Sequence, residues 1–166
     1  MSKELPTMPV ISRIRILTLA TAALALVAVT VAAPSWSQAN RGAQLIKYRQ
    51  STYSVLGTQF GIMGAMASGK APYDAKVFQL AAERAAYMST IAADTFAAGS
   101  DTGAPTKARP EIWSQQAEFQ KLIKDLQDRT AALATAARSG NLDTVKPAFG
   151  AAGQSCKACH DKYKLD

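Results

Sequence analysis

The stretch Val145-Lys146-Pro147-Ala148-Phe149-Gly150-Ala151-Ala152-Gly153-Gln154-Ser155-Cys156-Lys157-Ala158-Cys159-His160-Asp161-Lys162-Tyr163 decides both the fold class and the chemistry. Val145, Phe149, Ala152, Cys156, Cys159 and Tyr163 recur at spacings of four or three, the period of one helix face. Cys156 and Cys159 share that face, and His160 follows directly, one turn beyond Cys156. Cys-x-x-Cys-His is the spacing that attaches a c-type haem. Two thiols on one face reach the two vinyl groups of one porphyrin edge, and the next imidazole turns under the ring to the iron. Cys156 and Cys159 are therefore the candidates for covalent attachment of one haem c, and His160 is the candidate axial iron ligand.

Two other readings of the cysteine pair are weaker. A structural zinc site wants about four protein ligands, and the chain holds two cysteines and one histidine. A thioredoxin-like redox pair needs no histidine after it and normally sits beside a strand; no period-two alternation appears anywhere in the chain.

The chain opens with basic residues, Lys3, Arg13 and Arg15, followed by an apolar run from Ile16 to Ala33. Pro34 and a short polar stretch ending Ser37-Gln38-Ala39 come next, with small residues where a signal peptidase cuts. Residues 1–39 are expected to be a cleaved signal peptide and 40–166 the mature domain, exported to the periplasm. The other possibility is an uncleaved anchor, since the run is near spanning length; its alanines and threonines make it only moderately apolar. No stable membrane association is expected once it is cut. Haem on the thiols fits an oxidising compartment, where free cysteines would otherwise pair.

The remaining 127 residues suffice for one domain with one core. The whole chain carries a formal charge of +7, and its basic residues are dispersed. Nucleic-acid binding wants a clustered basic stripe with aromatic partners, so that class is set aside.

Alanine is abundant and prolines fall between segments, which points to helices throughout. A first helix is expected from about Arg41 to Met66, with Leu45, Thr52, Leu56, Phe60 and Met63 inward. Gly57, Gly61 and Gly64 would let a neighbouring helix or second subunit approach it closely. A second helix runs from Tyr73, capped near Asp74, to about Ala98, with Val77, Leu80, Ala81, Met88, Ile91 and Thr95 inward. A third starts at Pro110 and runs to about Ser139 with Phe119, Leu122, Ile123, Leu126, Thr130, Leu133 and Ala137 inward. Gly140 stops it and Asn141 caps the fourth, which Pro147 bends or delays to about Thr144. Four such helices with short links form an all-α, up-down-up-down (antiparallel) four-helix bundle. The end of the fourth helix then lies beside the start of the first and the loop between the second and third, which puts the haem at one end.

Residues 40–166 resemble the cytochrome c′ family, the class II c-type cytochromes. The matching stretches are Tyr48-Arg49-Gln50-Ser51, Ala71-Pro72-Tyr73-Asp74, Ala108-Arg109-Pro110-Glu111-Ile112-Trp113, Ala148-Phe149-Gly150, and Ser155 to Asp161 with Tyr163. A haem motif at the C-terminal end is characteristic of that class. The resemblance implies a homodimer and an iron with one histidine and no strong sixth ligand. It puts Arg49 and Gln50 on the propionate side, and charge supports Arg49, whose fork pairs bidentately with a carboxylate. Thr106 lies in the loop that the topology brings to the haem end. Tyr53 falls where the family has its distal residue and is read as a lid. Where many members have arginine four residues past the histidine, this chain has Lys164, whose role is open.

With one histidine already used, methionine is the remaining strong sixth ligand. Met63 and Met66 lie ten or more residues beyond Tyr53, roughly 15–20 Å at helical rise. Counting back along the second helix brings Met88 near the haem level. Two functions follow. The first is a five-coordinate iron that binds small gases (NO, CO) and can change oxidation state. The second is a one-electron carrier between unidentified periplasmic or membrane partners, with Met88 as a sixth ligand. No enzymatic role is expected, because no second histidine is present to act as distal acid or base.

Overall fold

Asp74 and Asn141 each start a helix by the same device. The Asp74 carboxylate accepts from the backbone N–H of Lys76 (2.9 Å) and Val77 (3.0 Å). The Asn141 amide oxygen accepts from Asp143 (2.8 Å) and Thr144 (3.4 Å). Each satisfies donors that a helix start leaves orphaned. Gly69 and Gly140, with φ of 75° and 66°, stop the preceding helices in the left-handed region. The computed structural model describes residues 34–165, with side chains from residue 40. Most of the expected leader, residues 1–33, lies outside the described residues.

Helix α1 spans Pro34–Ala67 and α2 spans Ala75–Ala92, which tightens into a 3₁₀ turn at Ala93–Phe96. A loop leads to the single-turn α3, Glu111–Ser114; α4 covers Gln116–Ala137 and α5 covers Leu142–Tyr163. The four long helices form the expected antiparallel bundle. Among the described residues there is no strand, only an isolated antiparallel bridge between Ala108 and Lys164.

Several boundaries differ from expectation. α1 is already helical at Pro34, the first described residue, so the expected start at Arg41 falls inside it. The third helix is broken at Gln115 (φ −114°, ψ 40°), whose side-chain oxygen accepts from the Tyr163 hydroxyl at 3.3 Å. α5 starts at Leu142, not Thr144, since the Asn141 cap outweighs the single bond lost at Pro147.

The inward face of α2 is Phe78, Ala81, Ala82, Ala85, Ser89 and Ala92. Val77 and Leu80, expected inside, are exposed. Alanines let α4 come close, and the Ser89 and Thr130 hydroxyls meet at 2.9 Å between the two helices. Phe149 of α5 packs on Phe60 of α1 and Phe78 of α2, with ring centroids 5.7 and 6.4 Å apart. Of the three glycines singled out in α1, Gly64 makes a close approach: a Cβ there would lie 3.4 Å from the Phe149 ring. Gly57 and Gly61 face open space. The middle and one end of the bundle are filled by Leu56, Met63, Phe78, Leu133, Val145 and their neighbours. The other end holds a smaller cluster of Ile112, Phe119, Ile123 and Tyr163, beside a cavity.

Candidate functional site

α5 carries Cys156, Cys159 and His160 into that cavity, α1 brings Arg49, Gln50 and Tyr53, and the loop before α3 brings Thr106. The cavity measures about 700 Å³, within the range of roughly 300–1,000 Å³ common for cofactor pockets. Its remaining walls are mainly apolar: Leu56, Phe96, Ile112, Phe119, Leu122 and Leu126 among them. All seven residues singled out in the sequence thus converge on one space.

Arg49 is the most constrained of them, at 4% exposed. One terminal nitrogen donates to the Thr95 carbonyl (3.3 Å) and the Ser100 hydroxyl (3.1 Å). The other donates to the Ser100 carbonyl (2.9 Å) and the Thr106 hydroxyl (3.0 Å). The guanidinium also lies over the Phe96 ring (4.9 Å) and the Trp113 ring (5.5 Å). No carboxylate pairs with it among the described residues. Burial lowers its pKa, an effect partly offset by the Tyr53 phenol and then Asp101; arginine remains charged regardless. A buried cation without an anion is costly, so this cavity edge suits a ligand bearing carboxylates. Gln50 is exposed and donates to the Pro105 carbonyl at 3.0 Å, which ties the loop to α1.

Tyr53 is half-buried and meets Phe96 edge-on, with centroids 6.0 Å apart. Burial pushes its phenol well above the usual value, helped by the neighbouring Cys159 and Cys156, so the hydroxyl stays neutral. Burial raises the Cys156 thiol, and it pushes Cys159 up to about 11 with help from Cys156. Protonated thiols are poor redox nucleophiles, which speaks against the thioredoxin-like reading. No group of three or more metal-ligating side chains occurs among the described residues, as a structural zinc site would need. The His160 imidazole is held below its ordinary value by burial and then by Lys164, with Asp161 opposing. It is neutral at physiological pH, with a lone pair to offer a metal.

The sixth-ligand expectation for Met88 is corrected. Met88 does not line the cavity; it packs half-buried against the central core. Phe96, at the end of the 3₁₀ turn that follows α2, lines the cavity in its place. Met63 and Met66 are buried in the central core, and the Met66 sulfur accepts from the Asp74 N–H at 3.4 Å.

Sequence reasoning missed Thr95, Ser100, Phe96 and Trp113, the shell around Arg49. Gly42 was missed too: a Cβ there would lie 2.3 Å from the Thr102 carbonyl oxygen, so the 99–102 loop crosses directly over α1. No local pattern announces these contacts, since each spans more than forty residues.

A helical bundle whose last helix delivers Cys-x-x-Cys-His to an apolar end cavity defines a c-type haem protein. The cytochrome c′ family profile matches residues 44–164. A cytochrome c′ of Alcaligenes xylosoxydans is 40% identical over 119 residues, 72% of this chain and 91% of that one. Another, from Rubrivivax gelatinosus, is 40% identical over 122 residues, 72% and 92% of the two chains. The structure of cytochrome c prime from Shewanella frigidimarina superposes with a TM-score of 0.72 at 44% identity, covering 75% of this chain and 97% of that one. A nitric oxide complex of a cytochrome c prime variant from Alcaligenes xylosoxidans superposes at 0.70 with 38% identity, covering 75% and 97%. The chain belongs to the cytochrome c′ family, whose members carry covalently bound haem c.

Proposed function

We propose that this chain is a periplasmic gas-binding haem protein, with residues 1–39 removed on export and 40–166 forming the mature domain. Cys156 and Cys159 hold the haem, and His160 is the protein's one ligand to the iron. When bound, the haem supplies an iron atom able to take a diatomic gas or change oxidation state. The chain's own residues set the conditions. Arg49 provides the positive charge that a propionate needs, with Gln50 and Thr106 on the same edge. Tyr53 and Phe96, in edge-on contact next to Arg49, wall the pocket with aromatic surface that favours small neutral ligands. Nitric oxide is the preferred ligand on this reading, as a relative was solved with it bound. No catalytic turnover is assigned.

The observation that carries this is the cavity's lining. It brings one imidazole and a neutral phenol, and no methionine, to a space large enough for a cofactor. Absorption spectra of the purified protein with and without CO test it. A high-spin iron that binds CO when reduced is expected. A low-spin spectrum in both oxidation states would sink the open-site reading in favour of simple electron transfer.

A homodimer belongs to the same proposal. Tyr48, Val55 and Ile62 lie exposed at seven-residue spacing on α1, and Val77, Leu80 and Tyr87 are exposed on α2. The ion pairs found among the described residues all lie on α4 and α5. Sedimentation at several concentrations checks the association. Among the described residues no helix is long and apolar enough to cross a membrane.

A further inference from the structure

Beside His160 lies a second, polar recess of about 300 Å³, lined by Arg109, His160, Asp161, Lys164 and Leu165. Backbone pairing builds it: the Arg109 N–H donates to the Tyr163 carbonyl (2.9 Å) and the Leu165 N–H to the Lys107 carbonyl (2.8 Å). The Arg109 Nε donates to the Lys164 carbonyl at 3.2 Å, which orients the guanidinium. Its two terminal nitrogens have no hydrogen-bond or carboxylate partner among the described residues, although the residue is half-buried. Lys164 likewise pairs with no described carboxylate. Asp161, the carboxylate lining the recess, is already engaged by Lys157. Among the described residues the recess therefore carries two cations, Arg109 and Lys164, that make no ion pair.

We propose that this recess is a binding site for a small oxyanion, of the phosphate, nitrate or nitrite class, held by the Arg109 fork and the Lys164 ammonium. A planar guanidinium with its Nε fixed presents two parallel donors, the match for two oxygens of one anion. Lys164 adds a point charge from the tail, on the other side of the bridge that joins Ala108 to Lys164. Partial burial raises the worth of that pairing, because water competes less. His160 and Lys164 also line the large cavity, while Arg109 and Asp161 line the recess alone. An anion in the recess therefore acts on the imidazole that serves the haem site, as outer partners of metal-binding histidines do. The site needs only the fold, so it stands whether or not the iron keeps an open position.

The test is isothermal titration calorimetry of the haem-loaded protein with sodium phosphate, sodium nitrate and sodium nitrite, each at fixed ionic strength balanced by sodium gluconate. Saturable one-to-one binding of at least one anion is expected, and phosphate against nitrate tells a tetrahedral from a planar preference. Arg109→Gln and Lys164→Gln should each weaken it about tenfold, the effect of one charge-assisted hydrogen bond. Arg109→Lys keeps the charge without the fork and should fall between, and Lys121→Gln, on the outer side of α4, should change nothing. Far-UV circular dichroism establishes that each variant is folded. The proposal is overturned by the absence of saturable heat, or by equal affinity in the Arg109 and Lys164 variants.

Discussion

The two ends of this bundle are built on different principles. At the closed end, Phe78, Phe149, Phe60, Leu133 and Val145 fill the interior with apolar side chains, and four local devices (Asp74, Asn141, Gly69, Gly140) set the helix ends. At the cavity end, a buried arginine is wired to loop carbonyls, two thiols and an imidazole face open space, and the walls are aromatic. That end leaves a cavity lined mainly by apolar side chains. One end is filled by the chain's own side chains; the other encloses a cavity of a size common for cofactors.

The sharpest way to separate the ends is to break each in turn. Cys156→Ser with Cys159→Ser should abolish covalent haem entirely, read as extraction of all haem into acidified butanone, while the helical signal survives. Phe78→Ala at the closed end should do the opposite. It should cost about 3–5 kcal/mol of unfolding free energy, the usual toll for emptying a fully buried phenylalanine site, and keep the haem bonded. Loss of haem in the Phe78 variant together with retention in the cysteine variant would contradict the division.

Arg49 comes next in size. Arg49→Met removes the cation but leaves the Thr95 and Ser100 carbonyls without their donor, a loss of about 1–3 kcal/mol. If the guanidinium also pairs with a propionate, denaturant melts should show a larger loss in the haem-loaded protein than in the haem-free chain. Equal losses in the two forms would make Arg49 a strap for the loop and nothing more.

The closed end was largely legible in the sequence, and the reason is that its determinants are local. Asp74, Asn141, Gly140 and the α4 stripe Leu126, Thr130, Leu133 and Ala137 act within one or two turns, and each stands as read from the sequence. The α2 face was misread by following the large side chains Val77 and Leu80. Close packing favours small residues, so the interior of α2 is mostly alanine, and alanine carries little periodic signal. At the cavity end the Cys-x-x-Cys-His motif was plain, yet the shell of Arg49 was not. Arginine is ordinarily a surface residue, and nothing local to Arg49 says that Ser100 and Thr106 fold over it. The break at Gln115 and the loop crossing at Gly42 were illegible for the same reason.

A pH titration isolates the thiols. The buried Cys159 thiol titrates at about 11, above its ordinary 9.0, and Cys156 is raised as well. The folded state therefore holds its protons more tightly than the unfolded chain, a stabilisation present below pH 9 and lost as pH climbs through about 11. Tyr53 and Tyr73 are raised by burial too, but they titrate whether or not haem is attached. Haem-free protein should thus lose stability across pH 9–11 more steeply than haem-loaded protein, whose sulfurs no longer ionise. Parallel curves from thermal melts would show that the thiols are exposed before attachment.

The smallest effects come from two glycines of the same helix, one near each end. A methyl at Gly42 would sit 2.3 Å from the Thr102 carbonyl oxygen and 2.9 Å from that of Gly99. Both are backbone atoms of the loop that Arg49 also grips, so they cannot swing aside, and overpacking of this kind costs about 1–3 kcal/mol. A methyl at Gly64 would meet only the rim of the Phe149 ring at 3.4 Å, a side chain able to shift by tenths of an ångström. Against that small strain stands the helix-propensity gain of alanine over glycine, about 1 kcal/mol. Gly42→Ala should therefore lower the melting temperature, and Gly64→Ala should leave it unchanged or slightly raised. The reverse order would mean that the cavity end yields and the closed end does not, because a loop able to move off Gly42 cannot be the fixed wall that holds Arg49 at the haem edge.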